Sequence, residues 1–548
     1  MAKRKFIPEI IQAHLETFAS QGLVPLFEQG VAIQEAVLED IIRLSSKSWY
    51  AKDHGFFGIQ NKEEFFAKVP ISDYGDYAPY VESNMQRDEG QVSEAETAYY
   101  LLSTGRKKQG KYYIETALGS QARQLSIHLW NINLMRCEPK MTQPDVKMLA
   151  VTNCAPIEHA PNGKNVRRTS SQAAKELWEE TPELYIFPYE FLEADMSNDD
   201  RDYLTALYAL KEKHLNMLFC NNLGYFGVIL DIIEKNAERL ISDIAEGRMS
   251  VALKPEDRQQ LEGMLGADPA RAEQLRRLLW ERGRLVAEDI WPDFFFTGAW
   301  LAGTVGDYAR DVMAKLPASM RYISESYGCS EGMLNIPLAY NAKYGPLAVY
   351  SCYFEFLPLK NIMGGGNPLS MQEIEDGGYY ELLISTYSGL YRYNLHDIVR
   401  VCGYTGDTPN IEFCCRSSET IRIGEKFWYG FELSNMIKNV EADCHVTFDF
   451  YQALVEEEQL SLIVELRQED AIMAVWRDLC RVAAEKQMPL DKIYWVNSDY
   501  RNHLYRGMMD HGRTIQCIKL PMLSQEVPTN AYVEAIYDAK REVRPCQK

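Results

Sequence analysis

A five-residue string, Gly-Cys-Ser-Glu-Gly at residues 328–332, has two competing chemical interpretations. Its spacing matches G-x-S-x-G, the turn on which serine hydrolases expose their nucleophile between a strand and a helix. That chemistry needs a helix directly after the serine, and Gly332, Asn335 and Pro337 all disfavour one. The sequence therefore disfavours a serine hydrolase.

The same string can instead contribute to a nucleotide site. The ring of Tyr327 can stack on a planar base, the Ser330 hydroxyl can orient a polar group, and the Glu331 carboxylate can hold a hard cation such as Mg²⁺. A solvated loop glutamate is the competing interpretation. These residues alone leave both open.

A second candidate is the loop at residues 103–111, Ser-Thr-Gly-Arg-Lys-Lys-Gln-Gly-Lys, which follows the apolar run 99–102. A strand that leads into a loop with Gly, Lys and hydroxyl residues can bring backbone N–H groups to a phosphate. The spacing of a Walker A loop is absent. A solvated basic turn explains the loop equally well.

Asp397 is the third candidate. It is flanked by Leu395 and Ile398, and we expect it at the end of a strand. An acidic side chain in that position can accept hydrogen bonds from both hydroxyls of a ribose. An aspartate that caps its own turn is the alternative.

The elements that must position these residues indicate an α/β protein. Apolar residues recur at helical spacing over 8–27, 33–50, 202–248 and 254–282. Apolar, β-prone runs predict strands at 350–357, 379–386, 391–402 and 411–415. The block 202–282 is accordingly expected to be a helical lid or insertion, with one or two long helices over 202–248 and two more after it.

The length and the change of pattern along the chain predict more than one domain. After Gly424 strands near 445–455, 460–466 and 492–496 alternate with a helix over 469–486. With 548 residues, we expect a large multi-layer N-terminal domain at 1–420 and a smaller, mobile α/β C-terminal domain at 421–548. Residues 416–426 would form the hinge.

Composition narrows the function classes. The 58 Lys and Arg residues against 78 Asp and Glu give a net charge of −20, which argues against a nucleic-acid or anionic-membrane surface. The most apolar stretch, near 294–305, is too short to span a bilayer, and no signal sequence is evident. The 12 cysteines show no Cys-x-x-Cys pair. We expect a cytoplasmic protein.

The three candidate motifs, in this order along the chain and followed by a small α/β domain, resemble the auxin-responsive Gretchen Hagen family of acyl acid amido synthetases. That family belongs to the adenylate-forming superfamily. The resemblance covers nearly the whole chain and suggests a bacterial-type member. Its most specific strings are Tyr-Phe-Glu-Phe-Leu-Pro at 353–358 and Gly-Leu-Tyr-Arg-Tyr at 389–393. Further matching strings lie at 52–56, 291–293 and 518–521.

The resemblance implies an ATP- and Mg²⁺-dependent ligase that works in two half-reactions. A carboxylic acid would first form an acyl-adenylate, and an amino acid or other amine would then displace AMP. Oligomeric state is not readable from the sequence. The alternatives are an acyl-coenzyme A ligase, which shares the first half-reaction, and a weakly active or non-catalytic nucleotide-binding homologue.

Residue roles follow from the same resemblance. Those expected at ATP or the acyl acid are Ser103, Thr104, Gly105, Gly303, Thr304, Tyr327, Cys329, Ser330, Asp397 and Arg416. Glu331 would hold Mg²⁺, and Lys426 and Lys519 would be the catalytic lysines, reaching the phosphates in different domain orientations.

Two details of the sequence qualify this assignment. Residues 106–108 are Arg-Lys-Lys, where relatives carry mostly Thr and Ser, and this departure motivates the non-catalytic alternative. The segment 202–248 is rich in aromatic and apolar residues, so we expect an aromatic or largely apolar monocarboxylate as acyl donor. Most of those side chains would still be helix core.

Overall fold

The computed structural model describes residues 5–87, 91–103, 110–151, 158–168, 178–179, 181–194, 196–303, 306, 309–359, 366–424, 426–456, 458–510, 520, 522–524 and 526–538. The chain divides into two compact units. The first contains residues 1–302, 309–395 and 399–413, and the second contains residues 303–308, 396–398 and 414–548. The predicted α/β class is confirmed. The boundary at 420 and 421 and the mobility of the C-terminal domain stay predictions.

The described helices of the first unit follow one another along most of its length. They are Ile7–Gln12, Leu15–Gln21, Val24–Phe27, Gly30–Ser45, Trp49–Asp53, Lys62–Lys68, Tyr74–Arg87, Ala117–Cys137, Glu190–Glu193, Asn198–Lys211, Leu223–Lys235, Ala237–Glu246, Pro255–Leu265, Pro269–Arg282, Ala287–Ile290 and Arg310–Lys315. Short 3-10 turns lie at Pro139–Thr142 and Pro182–Leu184. The helical pattern over 8–27 is divided into three pieces because Gly22 takes a φ of 90° between two of them.

Thirteen strands of the described part of the chain begin in the first unit. They are β1 (Thr97–Ser103), β2 (Lys111–Thr116), β3 (Lys147–Val151), β4 (Glu158–His159), β5 (Asn165–Arg167), β6 (Leu215–Cys220), β7 (Phe296–Ala299), β8 (Arg321–Ser324), β9 (Tyr344–Pro346), β10 (Cys352–Pro358), β11 (Tyr379–Thr386), β12 (Tyr393–Thr405) and β13 (Thr408–Arg416). They form sheets in the orders β2-β1-β5-β4, β3-β6-β7-β8 and β10-β11-β12-β13-β9. The strands expected at 350–357, 379–386, 391–402 and 411–415 are confirmed.

The sheet β3-β6-β7-β8 corrects one expectation. Its neighbouring strands pair in parallel throughout, and β6 lies inside the segment that the sequence assigned to one or two long helices. The strand β6 has five apolar residues of six without the regular alternation of a half-buried strand, and such a short run cannot be distinguished from a buried helix turn. The block 202–248 is therefore part of a layered α/β structure. The two helices expected over 254–282 are confirmed.

The second unit contains a sheet of its own. After β14 (Ile421–Ile423) and β15 (Lys426–Trp428), the strands β16 (Phe448–Glu456), β17 (Gln459–Leu466), β18 (Leu490–Val496), β19 (Leu523–Ser524) and β20 (Val533–Asp538) form a sheet in the order β19-β16-β17-β18-β20. Its helices are Gly430–Cys444, Ile472–Glu485 and Ser498–Asp510, with a 3-10 turn at Glu469–Ala471. The small α/β pattern predicted after Gly424 is confirmed.

Candidate nucleotide and acyl site

Residues 327–334 form a tight hairpin in the first unit. The backbone N–H of Leu334 donates to the Tyr327 carbonyl at 2.8 Å, and that of Cys329 donates to the Gly332 carbonyl at 2.9 Å. Ser330 and Glu331 therefore lie at its turn. No helix follows Ser330, as predicted, so the strand-turn-helix geometry of a serine hydrolase nucleophile is absent from this fully described segment.

The base of the hairpin is fixed by the buried amide of Asn335. Its Oδ1 accepts from the Tyr327 backbone N–H at 2.8 Å, and its Nδ2 donates to the Ile411 carbonyl at 2.9 Å. The Tyr327 ring lies 5.3 Å from the ring of Phe413, centre to centre. The two half-buried rings are tilted by 49° to each other, and either can present an apolar face to a planar group, which suits the role expected of Tyr327.

Arg123, which lies on the helix Ala117–Cys137, binds the turn of the hairpin. Its Nη1 donates to the Cys329 carbonyl and its Nη2 to the Ser330 carbonyl, both at 2.9 Å. Its Nε donates to the Glu115 carboxylate at 3.3 Å, and both side chains are almost completely buried. Burial, the largest single effect, lowers the pKa of Arg123, but the charge and hydrogen bond of Glu115 together with Tyr99 and Cys329 outweigh it, so the net pKa is raised. Arg123 therefore fixes the turn as a permanent cation.

Glu331 is held by a tyrosine of β2. The Tyr113 hydroxyl donates to Glu331 Oε1 at 2.6 Å and lies 3.2 Å from the Tyr393 hydroxyl. Burial, followed by the charge of Glu331, raises the pKa of Tyr113 far above its ordinary value, so Tyr113 stays protonated and donates. Within the described residues, Glu331 Oε2 has no hydrogen bond. One carboxylate oxygen is thus oriented and the other is available.

The two strings that carry the family resemblance are joined by a buried ion pair. Arg392, which has a φ of 46°, donates from Nε to both oxygens of Glu355 at 3.1 Å and from Nη2 to Oε1 at 2.9 Å. Arg392 also donates to the Val69 carbonyl at 3.0 Å. Burial raises the pKa of Glu355, and Arg392 opposes that rise. This arrangement fixes the start of β12, where Tyr393 is located.

Asp397 lies in the second unit and pairs with Arg416. The distance from Arg416 Nε to Asp397 Oδ1 is 3.4 Å, with the carboxylate buried and the guanidinium half-exposed. Asp397 is within β12, which has 13 residues, so its expected place at a strand end is wrong. The sheet continues past it because the following residues are again apolar and β-prone. His396, directly before it, takes a φ of 57°.

The remaining predicted residues are less informative. Ser103 ends β1, half-buried, opposite Lys111 of β2. Gly303 has a φ of 63°, and the exposed Lys426 donates from Nζ to Gln487 at 2.7 Å. The residues that lie outside the described part of the chain are Thr104, Gly105, Thr304 and Lys519.

The donor set at Glu331 suits a cation that takes most of its ligands from elsewhere. Among the described residues, no cluster of three or more His, Cys, Asp and Glu side chains could hold a metal ion. A single available carboxylate oxygen matches Mg²⁺, which is commonly bound by one or two carboxylates plus phosphates and water.

None of the helices that the structure describes has both the length and the apolar content of a membrane-spanning segment.

Comparison with known proteins gives a consistent assignment. Residues 21–319 match the GH3 family N-terminal domain, and residues 345–416 match the GH3 family central domain. A jasmonoyl-L-amino acid synthetase of Oryza sativa subsp. japonica is 23% identical, covering 80% of this chain and 77% of the relative. An indole-3-acetic acid-amido synthetase of Arabidopsis thaliana is 23% identical over 74% of this chain and 71% of its own length.

A solved structure of the GH3.15 acyl acid amido synthetase superposes with a TM-score of 0.79 at 18% identity, covering 95% of this chain and 97% of that one. A second, in complex with 2,4-DB, gives a TM-score of 0.81 at 17% identity, covering 99% of both chains. The fold is therefore that of the acyl acid amido synthetases. The chain belongs to the GH3 family, which confirms the resemblance seen in its sequence.

Proposed function

We propose that this protein is an ATP-dependent acyl acid amido synthetase. A carboxylic acid would attack the α-phosphate of ATP to give an acyl-adenylate and pyrophosphate, and an amino acid or other amine would then displace AMP to leave an amide. The observation that carries the proposal is the hairpin turn at Glu331, which Tyr113 and Arg123 hold from two different elements. Membership of a family whose relatives are named amido synthetases supports it.

In this proposal the chain contributes mainly position and charge, because phosphoryl chemistry leaves it little covalent work. Tyr327 and Cys329 would line the adenine, and Asp397 would accept hydrogen bonds from the ribose. Lys426 and Lys519 would neutralise phosphate charge. The second oxygen of Glu331 would hold Mg²⁺, which supplies charge neutralisation at the phosphate oxygens when it is bound.

The acyl acid is proposed to be aromatic or largely apolar. Trp130 and Phe219 are half-buried, with ring centres 5.7 Å apart. Gly298 lies against Phe219 so closely that a β-carbon there would come within 2.5 Å of the ring. These groups offer apolar surface beside the helix that carries Arg123. We propose a reducing, cytoplasmic compartment, since the cysteines that the structure describes form no disulfide.

Exchange of radiolabelled pyrophosphate into ATP tests the first half-reaction. We expect exchange that depends on an added acid and on Mg²⁺, and that favours benzoate or octanoate over citrate. Products formed with the common amino acids are then compared with products formed with coenzyme A. Amides are expected and thioesters are not.

Each contrary result has a separate meaning. A thioester product identifies an acyl-coenzyme A ligase, and ATP binding without exchange identifies a non-catalytic homologue. Preference for citrate would contradict the apolar acyl pocket, because a polyacid needs cationic partners.

Replacing Asp397 is expected to weaken ATP binding rather than slow the chemistry. The two ribose hydrogen bonds would be equally strong in the ground and transition states. At about 1 kcal/mol for each bond, Asp397→Ala should raise KM for ATP by about 30-fold. The value of kcat should change much less. Arg400→Gln, at an exposed position of the same strand, is the control. A fall in kcat with unchanged KM would contradict the ribose role.

A further inference from the structure

Glu325 lies where three parallel strands end. It directly follows β8, and its backbone N–H donates to the Ala299 carbonyl at the end of β7 at 3.0 Å. The Trp300 N–H in turn donates to the Asn221 carbonyl beyond β6, also at 3.0 Å. In open α/β sheets, ligands bind outside the carboxyl ends of the strands. The Glu325 side chain therefore lies at the edge where substrate is expected.

The Glu325 side chain is partly buried, and among the described residues its carboxylate makes no hydrogen bond and no ion pair. The next hydroxyl along the chain, Ser326 Oγ, is buried and likewise has no hydrogen-bond partner in the described part of the chain. Buried polar groups are nearly always satisfied by protein, water or ligand. A buried hydroxyl without a partner, next to a partly accessible carboxylate that no described side chain pairs, indicates a place at this strand end that a polar ligand completes.

The charge environment of Glu325 favours a cationic ligand. Among the described residues, Glu325 interacts electrostatically with the Cys220 thiol of β6. Burial is the larger cause of the raised pKa of that thiol, and the charge of Glu325 is the next. Burial raises the pKa of Glu325 to about 8. Without a ligand the group is therefore largely protonated at pH 7, and a bound cation shifts it toward the carboxylate, which can accept a proton. A protonated amine is a substrate that supplies charge and proton together.

Resting on the function proposed above, we propose that the Glu325 carboxylate binds the ammonium group of the incoming amine and takes its first proton. An N–H bond of the ammonium breaks, and the proton moves to a carboxylate oxygen of Glu325. The nitrogen lone pair then forms the N–C bond to the acyl carbon, and the C–O bond to phosphate breaks, so that AMP leaves with the electron pair. The nitrogen loses its second proton to solvent, and Glu325 later releases the first.

The test separates the two half-reactions in Glu325→Gln. Acid-dependent pyrophosphate exchange should stay within about twofold of wild type. Conjugation of amino acids, assayed with the acid that gives the fastest exchange, should fall by roughly 100-fold, the usual contribution of a general base. Hydroxylamine is unprotonated at neutral pH and needs no base to become nucleophilic. Hydroxamate formation should therefore be largely retained.

Two further variants make the result specific. Glu325→Asp should recover part of the amino acid conjugation, and Ser324→Ala, which changes only a hydroxyl bonded to the Glu325 carbonyl, should leave it unchanged. Wild-type conjugation in Glu325→Gln would overturn the inference, as would equal losses with amino acids and hydroxylamine. Absence of exchange in the wild-type protein would instead overturn the proposed function, so the two failures are distinguishable.

Discussion

Glu331→Gln should lower acid-dependent pyrophosphate exchange by about 100-fold or more at saturating Mg²⁺. Glutamine keeps the side-chain oxygen that accepts from Tyr113 but removes the negative charge, so the hairpin turn stays in place while its proposed ligand for Mg²⁺ is weakened. The expected loss is comparable to removal of one preorganised electrostatic group from an active site. Exchange rates are measured across a Mg²⁺ titration, with the unfolding midpoint as a check on the fold.

Tyr113→Phe is the matched variant for this prediction. It removes the hydrogen bond that orients Glu331 but keeps the carboxylate, so exchange should fall by only about tenfold, as for the loss of an outer partner of a metal ligand. Near-full exchange in Glu331→Gln at saturating Mg²⁺ would show that the metal role is wrong. An equal loss in both variants would indicate that Glu331 acts only through its bond to Tyr113.

The sequence was most informative where the site is contiguous. Tyr327, Ser330 and Glu331 fall within five residues, and glycine and proline after them excluded a helix, so the turn could be predicted from local rules. Arg123 lies 206 residues from Cys329, and Tyr113 lies 218 residues from Glu331. One sequence contains no signal for such pairings, because only the packing of distant elements creates them.

The features of the fold that the sequence does not predict have a related physical origin. The sequence of β6 predicts a helix because its run Leu-Asn-Met-Leu-Phe-Cys has five apolar residues of six and no regular alternation. Phe413 lies in a strand that the sequence does predict, but nothing local marks it as the aromatic residue that contacts Tyr327. The positions of the strands β10 to β13 could be predicted because their apolar runs are separated by clear turn signals, such as Gly406 with a φ of 62°.

Arg123→Met is expected to lower the free energy of unfolding of the first unit by about 3–5 kcal/mol. The side chain is 8% exposed and its partner Glu115 is 3% exposed, so the variant leaves a buried carboxylate without its cation. The carbonyls of Cys329 and Ser330 also lose their donors, and exchange should fall even where the protein remains folded. Urea unfolding followed by tryptophan fluorescence measures the first effect, and pyrophosphate exchange measures the second.

A double variant separates the charge effect from the lost contacts. Arg123→Met with Glu115→Met removes both charges, so it should be less destabilised than Arg123→Met alone, because no ion is left unpaired in the interior. Its exchange should remain low, since the hairpin carbonyls still lack their donors. Lys315→Met breaks an ion pair whose two side chains are 51% and 46% exposed, and it should cost less than about 1 kcal/mol. The double variant could instead lose as much stability as Arg123→Met and Glu115→Met combined. Arg123 would then contribute mainly through packing, and its charge would not be needed to hold the hairpin turn in place.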